Sequence, residues 1–178
     1  MEEDRRVRHT KKRIREALLD CLVTGSLDKV TVKKICEIAD INRTTFYAHY
    51  NDPYILYEQI EKEVIDGLTL FLANFQDRTM DYEKLLECLL LYFSEYSREF
   101  LMLRKTNSVS FRKAFIDQIS KYDFLPQFKN AEDIIYAQDY YINGVLSVVT
   151  RWLAEGQKKS ITEMVSLIVL LTGKDTRR

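Results

Sequence analysis

The chain has 178 residues, of which 46% are hydrophobic and 30% charged, and its formal net charge is +0. That length can bury a substantial core in one domain or two small ones, and the neutral overall charge excludes a generically basic nucleic-acid binder. The sequence has no apolar signal segment and no run of the ~18 apolar residues that a membrane span requires, so we expect a cytoplasmic protein with no membrane partner.

The charges are distributed unevenly along the chain. Residues 1–50 contain 11 Lys+Arg and 8 Asp+Glu, whereas residues 51–178 contain 16 and 19. A mildly basic N-terminal part on an acidic remainder suits an N-terminus that faces phosphate groups.

The first predicted helix covers residues 10–24 and follows a charged, flexible arm, residues 1–9. Its apolar stripe consists of Ile14, Ala17, Leu18, Cys21 and Leu22. We expect Gly25 to end this helix in the left-handed conformation. The arm holds three arginines that can either reach DNA or stay solvated: Arg5, Arg6 and Arg8.

The second predicted helix is short and begins after Thr31, whose hydroxyl can cap a free backbone N–H group. Its apolar stripe consists of Val32, Ile35, Cys36 and Ala39. Lys33 and Lys34 stand in its first turn, where positive charge opposes the helix dipole. They are either two solvated lysines or contacts for a phosphate at this helix end. A turn over residues 40–42 follows.

The third predicted helix covers residues 43–50, with Asn42 as its N-cap. Phe46 and Tyr50 are four residues apart and share the face that we expect to be buried. The predicted core of the first three helices consists of Leu18, Leu22, Ile35, Ile38, Phe46 and Tyr50. The opposite face is small, polar, basic and aromatic together, which is unusual for a solvated surface and typical of a helix that enters a DNA groove.

Each residue type on that face has a matching role on DNA. Arg43 can bond guanine through two N–H groups, and Thr44 and Thr45 can bond a base or contact a thymine methyl group. Tyr47 and His49 can donate hydrogen bonds to phosphate oxygens, which position a protein without specifying sequence.

These residues resemble the N-terminal DNA-binding domain of tetracycline-repressor (TetR) family regulators. The resemblance covers residues 8–60 and rests on Thr31, on Asn42 and on the sequence Tyr47-Ala48-His49-Tyr50. Many members have a lysine three residues later that contacts phosphate, and this chain has Pro53 there. The resemblance implies DNA contacts from Thr31, Lys33, Lys34, Asn42, Arg43, Thr44, Thr45, Tyr47 and His49.

The remaining sequence is also helical in pattern, so we predict an all-α fold. It has a helix-turn-helix DNA-binding domain over residues 1–52 and a helical effector-binding and dimerisation domain over residues 53–178. The helices of the second domain are predicted over residues 53–75, 81–96, 109–121, 130–155 and 160–172, with residues 97–106 ambiguous and loops at 76–80 and 123–129. The helix over residues 53–75 joins the two domains, so we expect any signal between them to pass through it.

Aromatic residues in the second domain are open to two interpretations. They form either an ordinary helical core or an apolar pocket in which tyrosine hydroxyls orient a ligand. The resemblance favours the pocket, because many TetR members release DNA when a small apolar or amphipathic effector binds, although some relatives bind a protein coactivator instead. The expected pocket residues are Phe71, Phe75, Tyr92, Tyr96, Phe111, Phe115, Tyr136 and Tyr140.

The last helix is apolar on nearly all sides and must be covered, for which a second copy of the chain is a good candidate. In TetR regulators the last two helices pair with their copies in a four-helix dimer interface. The resemblance therefore places at that interface Val145, Val148, Val149, Trp152, Met164, Leu167, Ile168 and Leu171.

The sequence shows no catalytic or metal-binding pattern. It has 2 histidines and 3 cysteines, without CxxC spacing, a Gly-rich phosphate loop or a Ser/His/Asp set. We therefore expect no enzyme, no cofactor and no metal, and reduced, buried cysteines. The prediction is a bacterial homodimeric repressor on a palindromic DNA operator. The alternatives are a helical protein-interaction or coactivator-binding module without a small-molecule pocket, and a protein that sequesters a small molecule.

Overall fold

The computed structural model describes residues 5–73, 81–119 and 130–173. Within these ranges all regular structure is helical, which confirms the all-α fold class. The helices are α1 (Arg5–Thr24), α2 (Val32–Ala39), α3 (Arg43–Tyr47), α4 (Pro53–Ala73), α5 (Tyr82–Glu95), α6 (Ser97–Lys105), α7 (Val109–Ile119), α8 (Ala131–Ala154) and α9 (Ile161–Leu171), with a 3₁₀ turn at Leu27–Lys29. None of the described helices is long and apolar enough to cross a membrane.

Helices α1, α2 and α3, which we call the head, share one small core. Leu18, Ile35 and Phe46 are completely buried, and Leu22 and Tyr50 are 2% and 5% exposed, as predicted. The prediction for Ile38 is wrong because its side chain is 38% exposed. At 100° per residue, Ile38 falls outside the arc of α2 that the buried residues occupy.

Two predictions about α1 are also wrong. The helix begins at Arg5 rather than at residue 10, so part of the predicted arm is helical. Gly25 has no positive φ angle, and its N–H group donates to the Cys21 carbonyl oxygen at 3.0 Å, which continues the helical pattern. The predicted loops at 76–80 and 123–129 lie outside the described residues.

Helix α4 connects the head to the remaining helices. It begins at Pro53, and the Asp52 carboxylate accepts hydrogen bonds from the N–H groups of Tyr54 and Ile55 at 2.7 and 2.9 Å. Its buried side packs against α1, α6 and α7. The segment 97–106, which was ambiguous in sequence, is the helix α6, with Phe100 completely buried.

Helices α5 to α9, which we call the body, enclose an aromatic core. The ring of Phe93 lies 4.3 Å from that of Phe100 and 5.8 Å from that of Phe115, between centroids. Helix α9 packs on α5, and α8 packs on α6. A capping box is present, since Ser160 and Glu163 exchange hydrogen bonds at the start of α9. Gly156, at φ +78°, follows the end of α8.

Helices α4 and α5 make a close contact at Gly67. The buried Tyr92 hydroxyl donates a hydrogen bond of 2.8 Å to the Val64 carbonyl oxygen, and burial raises the pKa of this phenol. A Cβ atom on Gly67 would lie 2.7 Å from the same hydroxyl oxygen. Glycine is therefore required here because a side chain would collide with Tyr92, and not because of its backbone conformation.

We predict that Gly67→Ala lowers the free energy of unfolding by about 1 kcal/mol, although alanine is the better helix former by about 1 kcal/mol. The added methyl group displaces the Tyr92 ring, and overpacking of this kind costs about 1–3 kcal/mol. Urea unfolding of a double-mutant cycle measures the effect. In the Tyr92→Phe background, which lacks the hydroxyl, the same change should be neutral or stabilising. An equal effect in both backgrounds would contradict the steric explanation.

Candidate nucleic-acid interface

The turn between α2 and α3 is fixed by hydrogen bonds from both sides. The Thr31 hydroxyl accepts the Lys34 N–H at 3.2 Å and caps α2, as predicted. Asp40 is the C-cap of α2 and has φ 48° and ψ 57°. The Ile41 N–H donates a hydrogen bond of 3.0 Å to the Cys36 carbonyl oxygen. The left-handed conformation of Asp40 turns the chain sharply toward α3.

Arg13 of α1 holds the same turn from outside. Its guanidinium donates to the Asp40 carbonyl oxygen at 3.0 Å and to the Asp40 carboxylate at 3.1 Å, across 27 residues of sequence. No sequence pattern pointed to this contact, because the two residues are far apart in the chain and only packing brings them together. The position of α3 therefore depends on α1 as well as on α2.

Helix α3 is only five residues long, and hydrogen bonds cap both of its ends. The Asn42 side-chain oxygen accepts the Thr45 N–H at 2.7 Å and the Thr45 hydroxyl at 2.9 Å. The N–H groups of His49 and Tyr50 both donate to the Phe46 carbonyl at 2.9 Å. The predicted helix over residues 43–50 is therefore shorter than expected, with a tight turn after Tyr47.

The two faces of α3 differ as the sequence predicts. Phe46 is completely buried, whereas Tyr47 is 55% exposed, and Arg43, Thr44 and Ala48 are exposed beside it. In the described part of the chain Arg43 makes no ion pair. This exposed face offers a guanidinium, a hydroxyl and a phenol around one small residue.

Two lysines of α2 lie exposed at its N-terminal end. Lys33 is 3.8 Å from the Glu37 carboxylate, an exposed pair that is worth little in water. Among the described residues Lys34 has no carboxylate partner. The positive charge of this helix end thus remains available to an anion.

Two of the predicted DNA-binding residues have structural contacts of their own. Thr45 is half-buried and its hydroxyl is engaged with Asn42, so both side chains serve the cap of α3. His49 is half-buried, and its ring lies edge-on to Tyr50 at 6.4 Å.

The head is joined to the body through α6 as well as through α4. Arg15 of α1 bonds Glu63 of α4 and, at 2.9 Å, Glu99 of α6. Burial acts to lower the pKa of this guanidinium, but the hydrogen bonds and charges of Glu99 and Glu63 together raise it. Helix α4 is therefore not the only link between head and body, and the expectation that signals pass through it stays a prediction.

The predicted pocket residues that the structure describes lie in different surroundings. Phe71 packs on Tyr92 at 5.3 Å and Tyr92 on Tyr96 at 4.7 Å, within the core. Tyr136 and Tyr140 are 74% and 72% exposed on α8. Phe111 and Phe115 stack at 6.1 Å in the aromatic core, and Phe75 lies outside the described residues.

A cavity does occur in the body, between α5, α7, α8 and α9, and it includes Phe115 from the predicted set. Its volume is about 50 Å³, and its lining is almost entirely apolar. The lining residues are Tyr82, Leu85, Leu86, Leu89, Phe115, Ile119, Tyr141, Ile142, Val145 and Thr172. Ligand sites usually have about 300–1,000 Å³, so this cavity must widen before it accepts more than water.

The residues expected at the dimer interface divide into two groups. Four are already buried inside the single chain: Val149, Trp152, Met164 and Ile168. The other four are partly or largely exposed: Val145, Val148, Leu167 and Leu171. Three of this second group, Val145, Val148 and Leu171, line an apolar groove between α8 and α9 that also includes Tyr140, Gly144 and the buried Ile168.

A short exposed helix held after a tight turn, with a basic and polar face, defines a helix-turn-helix protein of the DNA-binding class. Residues 81–173, more than half of the chain, match the TetR family model for the C-terminal region of transcriptional regulators. The chain therefore belongs to the TetR family of transcriptional regulators.

Solved structures support the same fold. The chain is similar to a TetR transcriptional regulator from Streptococcus agalactiae, with 20% identity, 95% of this chain and 96% of that chain covered, and a TM-score of 0.61. It is similar to the fatty acid degradation regulator FadR from Bacillus halodurans, with 14% identity, both chains fully covered at 100%, and a TM-score of 0.64. It also resembles the dihydroxyacetone kinase operon activator DhaS, with 19% identity, coverage of 94% and 96%, and a TM-score of 0.56. No curated protein matches the chain.

The N-cap of α3 gives a test of how this helix is held. We predict that Asn42→Ala lowers the free energy of unfolding by about 1 kcal/mol, because two hydrogen bonds to Thr45 are lost. Asn42→Asp keeps an acceptor at the cap and should retain stability in thermal or urea unfolding. Equal losses in both variants would mean that the cap does not stabilise α3.

Proposed function

We propose that the chain is a homodimeric transcriptional repressor that reads a palindromic DNA operator with α3. The observation that carries the proposal is the exposed face of Arg43, Thr44 and Tyr47 on the helix whose Phe46 is completely buried. Burial of Phe46 fixes the rotation of α3, so this face has only one direction to point.

The exposed residues divide by chemistry into two roles. Arg43 and Thr44 read base edges in the major groove, with Thr45 contributing its methyl group while its hydroxyl donates to the capping Asn42 side-chain oxygen. Lys33, Lys34, Tyr47 and His49 contact phosphate oxygens, and the N-terminal end of α2, capped by Thr31, presents N–H groups to the same backbone. Asn42 holds α3 and directs its free amide N–H groups outward.

The operator is palindromic because the regulator is two-fold symmetric. Its half-sites lie about 34–36 Å or a multiple of that distance apart. The groove between α8 and α9 supports the dimer, since Leu171 in its wall is 58% exposed in the single chain and the adjacent Leu170 is 63% exposed. Apolar side chains that are exposed together are typical of an interface. Four residues, Val145, Val148, Leu167 and Leu171, meet the partner, while the four that are already buried support them from behind.

We propose further that a small apolar effector in the body cavity releases the DNA. The apolar lining supports this ligand class, and the hydroxyls of Tyr82 and Thr172 orient it. The volume of about 50 Å³ requires that the effector binds a more open form. The effector can then change operator affinity only if it binds more tightly to one separation of the two α3 helices of the dimer. An effector that binds the cavity and leaves operator affinity unchanged would contradict this mechanism.

The base-reading role is tested by Arg43→Ala. We expect it to cost about 1–3 kcal/mol on the operator and much less on scrambled DNA, because a bidentate contact to one base is lost. Fluorescence anisotropy with DNA from upstream of the gene measures both affinities.

Lys34→Ala is the matched control for charge. It should weaken binding to both DNAs equally and lower the slope of log affinity against log salt by about one. If Arg43→Ala weakened both DNAs equally, Arg43 would be a phosphate contact and not a base reader.

The dimer is tested by Leu171→Arg, which places a charge in the apolar groove. We expect the dimer to dissociate at micromolar concentration, because the buried guanidinium would have no partner. Sedimentation velocity measures the oligomeric state. Leu70→Arg, at a 67% exposed leucine of α4, is the control and should leave the dimer intact. A stable Leu171→Arg dimer would place the interface elsewhere.

A further inference from the structure

A second cavity lies where α1 of the head meets α6 and α8 of the body. Its volume is about 420 Å³, within the range of small-molecule sites. It is separate from both the exposed face of α3 and the body cavity. The apolar part of its wall consists of Leu19, Leu22, Val23, Leu101, Met102 and Ala154. Val23 is 68% exposed, so the cavity is reached from solvent.

Three cations also line this cavity, and two of them are engaged by α1. The Arg98 guanidinium pairs with the carboxylates of Glu16 and Asp20. The Lys105 ammonium donates to the carbonyl oxygens of Leu22 and Val23, both at 2.8 Å, at the C-terminal end of α1. These contacts join the head to the body and leave neither cation for a ligand.

The positive charge of the third cation, Arg104, is not balanced by a negative one. It is half-buried, and in the described part of the chain no carboxylate pairs with it. Its Nε–H reaches the Thr150 hydroxyl oxygen at 3.3 Å, a long contact, while that hydroxyl itself donates to the Leu146 carbonyl at 2.6 Å. Burial lowers the pKa of Arg104, in contrast to Arg15, where carboxylates outweigh burial.

We propose that this cavity, which we call the junction site, binds a small amphipathic carboxylate. The carboxylate pairs with the Arg104 guanidinium, whose planar N–H groups match two carboxylate oxygens. The apolar part of the ligand packs on Leu22, Leu101 and Met102. A cationic ligand is excluded by Arg104, and an alcohol of the same shape leaves the charge uncompensated.

Because the junction site lies between head and body, a ligand bound there affects the position of the head. The walls come from α1, which holds the DNA-reading turn through Arg13, and from α6 and α8. A ligand that contacts both favours one arrangement of head and body over others. Only this consequence rests on the proposed DNA binding, because the ligand itself binds without DNA.

The test uses phenylpropanoate as the probe and isothermal titration calorimetry of the full chain without DNA. Phenylpropanol and phenylpropylammonium are the uncharged and cationic controls with the same hydrocarbon part. We expect the carboxylate to bind at least about ten-fold more tightly than the alcohol, as a charged hydrogen-bonded pair permits. The ammonium compound should bind most weakly.

Two variants locate the binding. Arg104→Met keeps an apolar stem and should abolish the preference for the carboxylate. Arg151→Met removes an exposed arginine of α8 that pairs with Glu155 and lines no part of the cavity, so it should change nothing. Ala154→Trp fills the junction site and should abolish binding of the carboxylate, with circular dichroism to check folding.

Three outcomes would overturn the proposal. They are equal affinity for the three probes, a carboxylate preference that survives Arg104→Met, and binding that survives Ala154→Trp. The last result would place the ligand in the body cavity. Because no DNA is present, failure here leaves the proposed DNA-reading role untouched, and loss of operator binding in Arg43→Ala leaves the junction site untouched.

Discussion

Burial of Phe46 in the core of the head is the constraint on which the site depends. A helix of five residues is too short to be stable by itself in water. It persists because Phe46 enters the core that Leu18 and Ile35 also occupy, and because Asn42 caps its start. The same contact sets the direction in which Arg43 and Tyr47 point. Stability and recognition therefore depend on different residues of the same short helix.

The interface between head and body combines ion pairs with an open cavity. Arg15 and Arg98 form pairs between α1 and its neighbours, whereas Arg104 faces a cavity without a carboxylate. Partly exposed pairs of this kind are worth little individually and weaken with salt. An interface that combines weak pairs with an empty space is suited to small changes of position. The aromatic core around Phe93 packs within the body.

The aromatic residues show where sequence reasoning reached its limit. Their spacing correctly indicated helices, but a core aromatic and a pocket aromatic have the same periodicity. Phe111 and Phe115 pack into the core, while Tyr136 and Tyr140 stand exposed on α8. The residues predicted at the dimer interface also fall into two groups, since Ile168 is buried within its own chain whereas Leu171 is exposed. Which neighbour covers a face depends on how helices pack, and periodicity carries no such information.

Local interactions were readable from the sequence by itself. The all-α class, the caps at Thr31 and Asn42, and the buried and exposed faces of α3 all follow from residues within four positions of one another. The DNA-binding resemblance rests on one continuous stretch, from Thr31 to Tyr50. Only the tertiary structure decided the contact of Arg13 with Asp40, the ionic route between α1 and α6, and the unbalanced charge of Arg104. These contacts join residues that are distant in the chain. The helices pack in order to bury their apolar stripes, and this packing brings the charged residues together. No pattern among the charges themselves predicts it.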